Sequence, residues 1–212
     1  MKGLIHRGKD KCKDDRGIAL LMVLIATPLI MLLLLFRLDY SRAASDTELD
    51  FQESLKKAVK AATHQVTDRS RAEGDPRIHS NNAHEAFTSM LADNLKLNPD
   101  SLTPLDGSPL AEAPIYSLII YNGDGKYEST GAQAVYQYDF DGSNLSSYPL
   151  SGVGFPQQFT VSDFGISYGT GGTFDITMET PGCIAVMKIK LKTITTDISP
   201  VRWAAAKVHY KT

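Results

Sequence analysis

GIALLMVLIATPLIMLLLLF, residues 17–36, contains no charged side chain. A helix of that length covers about 30 Å, the thickness of a bilayer's hydrocarbon core. A core helix in a small soluble domain shows a polar face, and this run has none. It therefore reads as a membrane-spanning helix. A cleaved secretory signal is the closest competitor, since a basic stretch precedes the run. Against it, the run exceeds an ordinary signal core, and Arg37, Asp39, Tyr40, Ser41 and Arg42 come directly after. Ala43, Ala44 and Ser45 leave a weaker cleavage site beyond.

Flanking charge sets the expected orientation. Lys2, Arg7, Lys9, Lys11, Lys13 and Arg16 precede the run, while Asp39, Asp46, Glu48, Asp50 and Glu53 dominate the stretch on its other side. The amino end is expected in the cytoplasm and the rest on the far side of a cell membrane crossed once. The 212 residues leave room for one anchor and one modest domain. Residues 1–16 read as a basic cytoplasmic leader, 17–36 as the transmembrane helix and 37–73 as an extracytoplasmic stalk helix. Residues 74–113 read as a short helix with loops, and 114–212 as an antiparallel β domain.

The stalk carries Leu49, Phe51, Leu55, Ala58, Val59, Ala62 and Val66 at helical spacing, with no glycine or proline before Gly74. Span and stalk should form one helix of about 55 residues, with Pro28 removing a backbone donor inside it. Asn81 or Asn82 is expected to cap a second helix bearing Ala86, Phe87, Met90, Leu91 and Leu95 on one face and ending near Asn98 and Pro99. Residues 101–114, rich in proline and turn formers, read as a loop.

From residue 115 the pattern becomes that of strands. IYSLIIY, the turn NGDG and KYEST read as a hairpin, and AVYQYDF as a strand before DGSN. QFTVSDFGISY, TFDITMET, CIAVMKIKLKTITT and VRWAAAKVHY complete the series. In MKIKLKTI, Met187, Ile189, Leu191 and Thr193 alternate with Lys188, Lys190 and Lys192 and should bury one face. The fold class is α+β: a long N-terminal transmembrane and stalk helix, a short second helix and a C-terminal antiparallel sheet.

Residues 15–66 resemble the type IV pilin-like proteins, and among them the small pilus proteins of the tight-adherence (Tad) type. The resemblance rests on Arg16 and Gly17 directly before the apolar run, Pro28 within it, and the Ala-rich continuation through Ala58, Ala61 and Ala62. IIYNGDG at residues 119–125 is similar to a strand and turn of Gram-positive members. The resemblance implies a subunit of a bacterial surface pilus or its assembly machinery, with other pilus subunits as partners. It implies cleavage by a prepilin peptidase after Gly17, leaving Ile18 first, and helix packing through Ala19, Ala26 and the segment around Pro28. Many such proteins carry a glutamate at the place held here by Met22, a departure that points to an initiating or minor subunit or to a chain that is not cleaved.

Catalytic and ligand motifs are sparse. His6, His64, His79, His84 and His209 are scattered without metal-ligand spacing, and no Gly-x-Ser-x-Gly elbow or P-loop occurs. Asp139, Asp141 and Asn144 form the nearest thing to a cation cluster, although an Asp-Gly hairpin turn is the better reading. No cofactor and no enzyme activity are expected. A net charge of -2 gives no case for nucleic acid. Cys12 and Cys183 flank the span on opposite sides, so no disulfide is expected between them; at the start of a strand Cys183 reads as a buried structural cysteine, ahead of a free exported thiol or an intermolecular disulfide. The competing function is a signal-anchored envelope protein whose outer domain binds a ligand or partner.

Overall fold

The computed structural model describes residues 11–152, 154–162, 164–192 and 198–209; within helix α1 (Lys11–Thr63), side chains are described at 17, 19–37 and 49–63. Most of the basic leader, residues 1–10, and Thr193 lie outside the described residues. Two compact units divide the chain, Met1–Thr47 and Glu48–Thr212. The class is α+β, with one apolar N-terminal helix and C-terminal antiparallel sheets.

In the first unit, α1 carries the segment Ala19–Arg37, of mean hydropathy 2.9, none of it buried within the chain. In the second unit, the last turns of α1 bury Phe51, Leu55, Ala58, Val59 and Ala62. Their spacing of three and four places them on one face.

α1 closes at Thr63, ten residues short of the expected end at 73. The backbone of residues 65–67 instead pairs with 77–79: Thr67 N–H donates to Arg77 O at 2.9 Å, and His79 N–H to Gln65 O at 2.7 Å. Val66, which fitted the helical period, forms a β-bridge with Ile78. Thr67 caps a short helix, α2 (Asp68–Ala72), its hydroxyl accepting from Ser70 N–H.

α3 (Ser80–Leu95) starts before the expected asparagine caps, because His79 Nδ1 accepts from Asn82 N–H at 3.3 Å. It ends in a left-handed residue, Lys96.

Eight strands come next: β1 (Ile115–Tyr121), β2 (Val135–Phe140), β3 (Leu145–Leu150), β4 (Gln157–Ser162), β5 (Gly165–Tyr168), β6 (Phe174–Met178), β7 (Gly182–Lys188) and β8 (Val201–Lys207). They make two antiparallel sheets, ordered β3-β2-β1-β7-β8 and β5-β4-β6. Tyr116, Leu118 and Ile120 of β1 and Cys183, Ala185 and Met187 of β7 share a core with α1 and α3. The alternate residues Ile119, Tyr121, Ile184 and Val186 share a second core with Phe159, Val161, Ile166 and Met178 of the smaller sheet. Helices, large sheet and small sheet thus form three layers.

That layering explains three departures from expectation. KYEST is no strand: Glu128–Thr130 is a single 3-10 turn, and β1 pairs with β2 and β7. QFTVSDFGISY folds into a hairpin of two strands, β4 and β5. β7 stops at Lys188, yet Ile189 and Leu191 stay buried because their N–H groups bond Pro200 and Ile198 carbonyls. Met187, Ile189 and Leu191 are buried while Lys188 and Lys192 are exposed, as the alternation requires; upstream of Lys188, β7 is buried on both faces. Cys183 is free and fully buried, and burial raises its thiol pKa.

Candidate functional site

Every large apolar side chain of α1 from Leu20 to Phe36 is exposed, at between 54% and 71% of its free surface. Soluble domains rarely expose so much contiguous apolar area. The one hydroxyl in the run is satisfied locally: Thr27 Oγ1 donates to Val23 O at 2.7 Å, one turn back. Ala19–Arg37 is long and apolar enough to cross a membrane, consistent with an anchor or a signal sequence. Ala19 and Ala26 are exposed on it, and Pro28 sits inside the helix. Gly17 lies in the same helix, and apart from the helix's own nearby backbone no described atom lies within 4 Å of where a Cβ would stand. Ile18 belongs to the helix, its side chain lying outside the described residues.

Asp139, Asp141 and Asn144 come together at the β2–β3 hairpin, each already engaged. Asp139 accepts from Gln137 Nε2 at 2.9 Å and from Tyr148 Oη at 2.7 Å. Asp141 Oδ1 accepts the Ser143 and Asn144 N–H groups at 2.8 and 2.7 Å, which closes the turn and lowers the Asp141 pKa. Among the described residues no group of three or more His, Cys, Asp or Glu is placed to hold a metal. The trio is a turn.

Two polar constellations escaped the sequence reading. Asn122, in the NGDG stretch read as a turn, is fully buried. Its Oδ1 accepts from Ile78 N–H at 2.7 Å, and its Nδ2 donates to Ile78 O at 2.9 Å and Gln133 O at 2.8 Å. One side chain thus ties the end of β1 to the approach to α3. Gly123 has φ 80°, and a Cβ there would lie 2.4 Å from the Phe155 ring. Beside this pin, buried Arg77 pairs with Asp75 and, at 2.9 Å, with Asp124, while Lys126 reaches Asp75 at 3.0 Å. Burial works against the charge on Arg77, and the two carboxylates outweigh it and raise its pKa. Tyr127 Oη donates to Glu73 Oε2 at 2.7 Å and closes the same loop onto α2.

His84 on α3 stacks on Tyr138 with ring centroids 4.1 Å apart, and its Nε2 lies 2.8 Å from Tyr116 Oη. Burial depresses its pKa to about 4. A neutral ring bonded to a tyrosine inside an aromatic cluster serves the packing of α3 on β1.

A cleft of about 940 Å³ lies between the end of α1, the α2 region and β8. Among the described residues no carboxylate lines it. The sequence held no local sign of it, because its two walls lie at opposite ends of the domain.

Compared with protein-family models, curated proteins and solved structures, the chain matches none.

Proposed function

We propose that the chain is a structural or minor subunit of a bacterial surface pilus or of its assembly machinery, held in the cell membrane by α1 and acting through helix packing and an outer β domain. One observation carries this reading: a single helix is apolar on every side across Ala19–Arg37 and then contributes five core residues, from Phe51 to Ala62, to an α+β domain. Such a helix offers neighbours an apolar surface in lipid, where Ala19 and Ala26 allow close approach. The basic leader would stay in the cytoplasm and Glu48–Thr212 would face outward.

A prepilin peptidase would cut after Gly17, a residue whose missing side chain lets the backbone extend into a protease site. Met22 gives the mature helix no carboxylate to neutralise a neighbour's terminal amine, which favours a minor or initiating subunit over the bulk of a filament.

The test is intact-mass and amino-terminal analysis of the protein extracted from its native membrane, paired with cross-linking of an Ala26→Cys variant. A chain beginning at Ile18, with Ala26→Cys dimers, is the expected result. A chain beginning at Met1 with no such dimers would leave an anchored partner-binding protein, and one beginning near Ser45 would remove the anchor.

A further inference from the structure

We propose that the cleft beside β8 is a docking groove for an extended acidic peptide of a partner protein, which adds to the large sheet as a further strand. This goes beyond the pilus reading and does not rest on it.

β8 is an edge strand of the five-stranded sheet. Its inward-facing backbone groups belong to the even-numbered residues, as shown just past its end, where Val208 N–H donates to Pro181 O at 2.7 Å. Alternation then turns the N–H and C=O of Trp203, Ala205 and Lys207 to the edge that no described strand covers. Gln52 Nε2 takes the first of these carbonyls, donating to Trp203 O at 3.1 Å. Beyond Gln52 the helix supplies no such side chain among the described residues, and the cleft opens along Ala205 and Lys207. Ala205 is small and exposed, so a second backbone can reach strand-pairing distance there. Open edges with this geometry accept strands.

Charge selects the occupant. Lys56, Lys60, His64, Arg71, Lys207 and His209 line the cleft, in a chain whose net charge is -2. Lys57, on the neighbouring face of α1, has Glu53 at 3.9 Å, whereas Lys56 and Lys60 have no carboxylate partner among the described residues. Arg71 and Lys207 touch exposed Asp68 and Glu179 only at 4.0 and 3.9 Å. Two like charges one turn apart repel on a helix, and a bound anion relieves this. Lys56 and Lys60 are about 6 Å apart along the helix axis at 1.5 Å per residue. Alternate residues of a strand repeat at about 6.6 Å, so acids at every second position would meet the two lysines in turn. A phosphate or lipid headgroup would satisfy the lysines but leave the β8 edge unused.

The experiment uses the full chain in detergent micelles and a fluorescent peptide of about ten residues alternating glutamate and valine, the strand-addition pattern. Controls are the same residues arranged in two blocks, the alternating peptide N-methylated at every second residue, inorganic phosphate as competitor, and anionic vesicles. Saturable binding of the alternating peptide is expected, about tenfold weaker for both control peptides and weakened by salt. The double variant Lys56→Glu and Lys60→Glu should lose at least about tenfold in affinity. Ala205→Pro should fold, since its N–H faces away from β7, and lose binding through the missing edge donor. Equal binding of the N-methylated peptide, equal affinity in Ala205→Pro, full competition by phosphate, or retention on vesicles in place of peptide would overturn the proposal. So would sedimentation showing self-association that the lysine variant abolishes, which would make the occupant a second copy of this chain.

Discussion

Ala19–Arg37 of α1 and Ile115–Tyr121 of β1 are both apolar runs, yet none of the first is buried within the chain, whereas the second is buried from Tyr116 to its end. The difference lies in the backbone. A helix satisfies its own N–H and C=O groups and can stand in any apolar solvent, lipid included. A strand satisfies none of its own, and β1 is completed only by β2 on one side and β7 on the other. Apolar composition says that a segment leaves water. Backbone bonding decides whether protein must be what receives it.

The largest effect expected from breaking this contrast comes in the first run. Leu29→Arg with Leu33→Arg puts two charges one turn apart near the middle of the span, at about 3 kcal/mol each, or about 6 kcal/mol together. Retention in alkaline-washed membranes should fall sharply while the melting temperature of the β domain stays put. A fall in melting temperature would mean that this surface packs on the domain. The mirror experiment is Leu118→Ala in β1. Leu118 is fully buried in the core shared with α1 and α3, so the truncation should cost about 4 kcal/mol and leave membrane retention unchanged.

A smaller, pH-dependent effect separates the runs again, because Tyr116 of β1 bonds His84 and residues 17–36 hold no titratable group. The folded pKa of His84 is depressed from 6.5 to about 4, so the unfolded chain takes up its proton first. The stability tied to neutral His84 is therefore complete above pH 6.5 and lost as pH falls toward 4, amounting to about 3 kcal/mol. The carboxylates with lowered values, Glu73, Asp75, Asp141 and Asp175, lose their contribution only at lower pH. Urea midpoints at pH 7 and pH 4.5 should differ in the parent chain and converge in His84→Phe, which keeps a ring against Tyr138. An unchanged difference in that variant would assign the acid sensitivity elsewhere.

Legibility in the sequence divides along the same line. Periodicity identified the buried face of α1 through Phe51, Leu55, Ala58, Val59 and Ala62, and the apolar character of β1 and β7, because local pattern records which side leaves water. It could not say that β1 would be covered by helices on one side and by β4, β5 and β6 on the other. Nor could it end α1 at Thr63, since the bonds that replace the helix run to residues 77–79. Asn122 reads as turn chemistry because its neighbours are glycines and an aspartate; its burial depends on Ile78, far away in sequence. The β8 cleft was hidden for a like reason, Lys56 and Lys60 coming from α1 and Lys207 with the open edge from the other end of the sequence. Gly17, Ala19 and Ala26 are visible in sequence as small residues of an apolar helix, and their proposed roles need a second protein.

The smallest test uses the one aliphatic hydroxyl that each run contains. Ser117 is buried in β1, where its Oγ accepts from Gln137 Nε2 at 3.2 Å across the strand pair. Ser117→Ala should lower stability by about 1 kcal/mol, the net worth of one such bond, with Gln137 still held by Asp139. Thr27 bonds only backward along its own helix, to Val23 O. Thr27→Val removes donor and need together, because the helix ladder still serves that carbonyl, so membrane retention and melting should both be unchanged. A Thr27→Val variant that cross-links less well through Ala26→Cys would show that the hydroxyl also meets a neighbouring helix. The span would then share with β1 the dependence on outside partners that its backbone does not require.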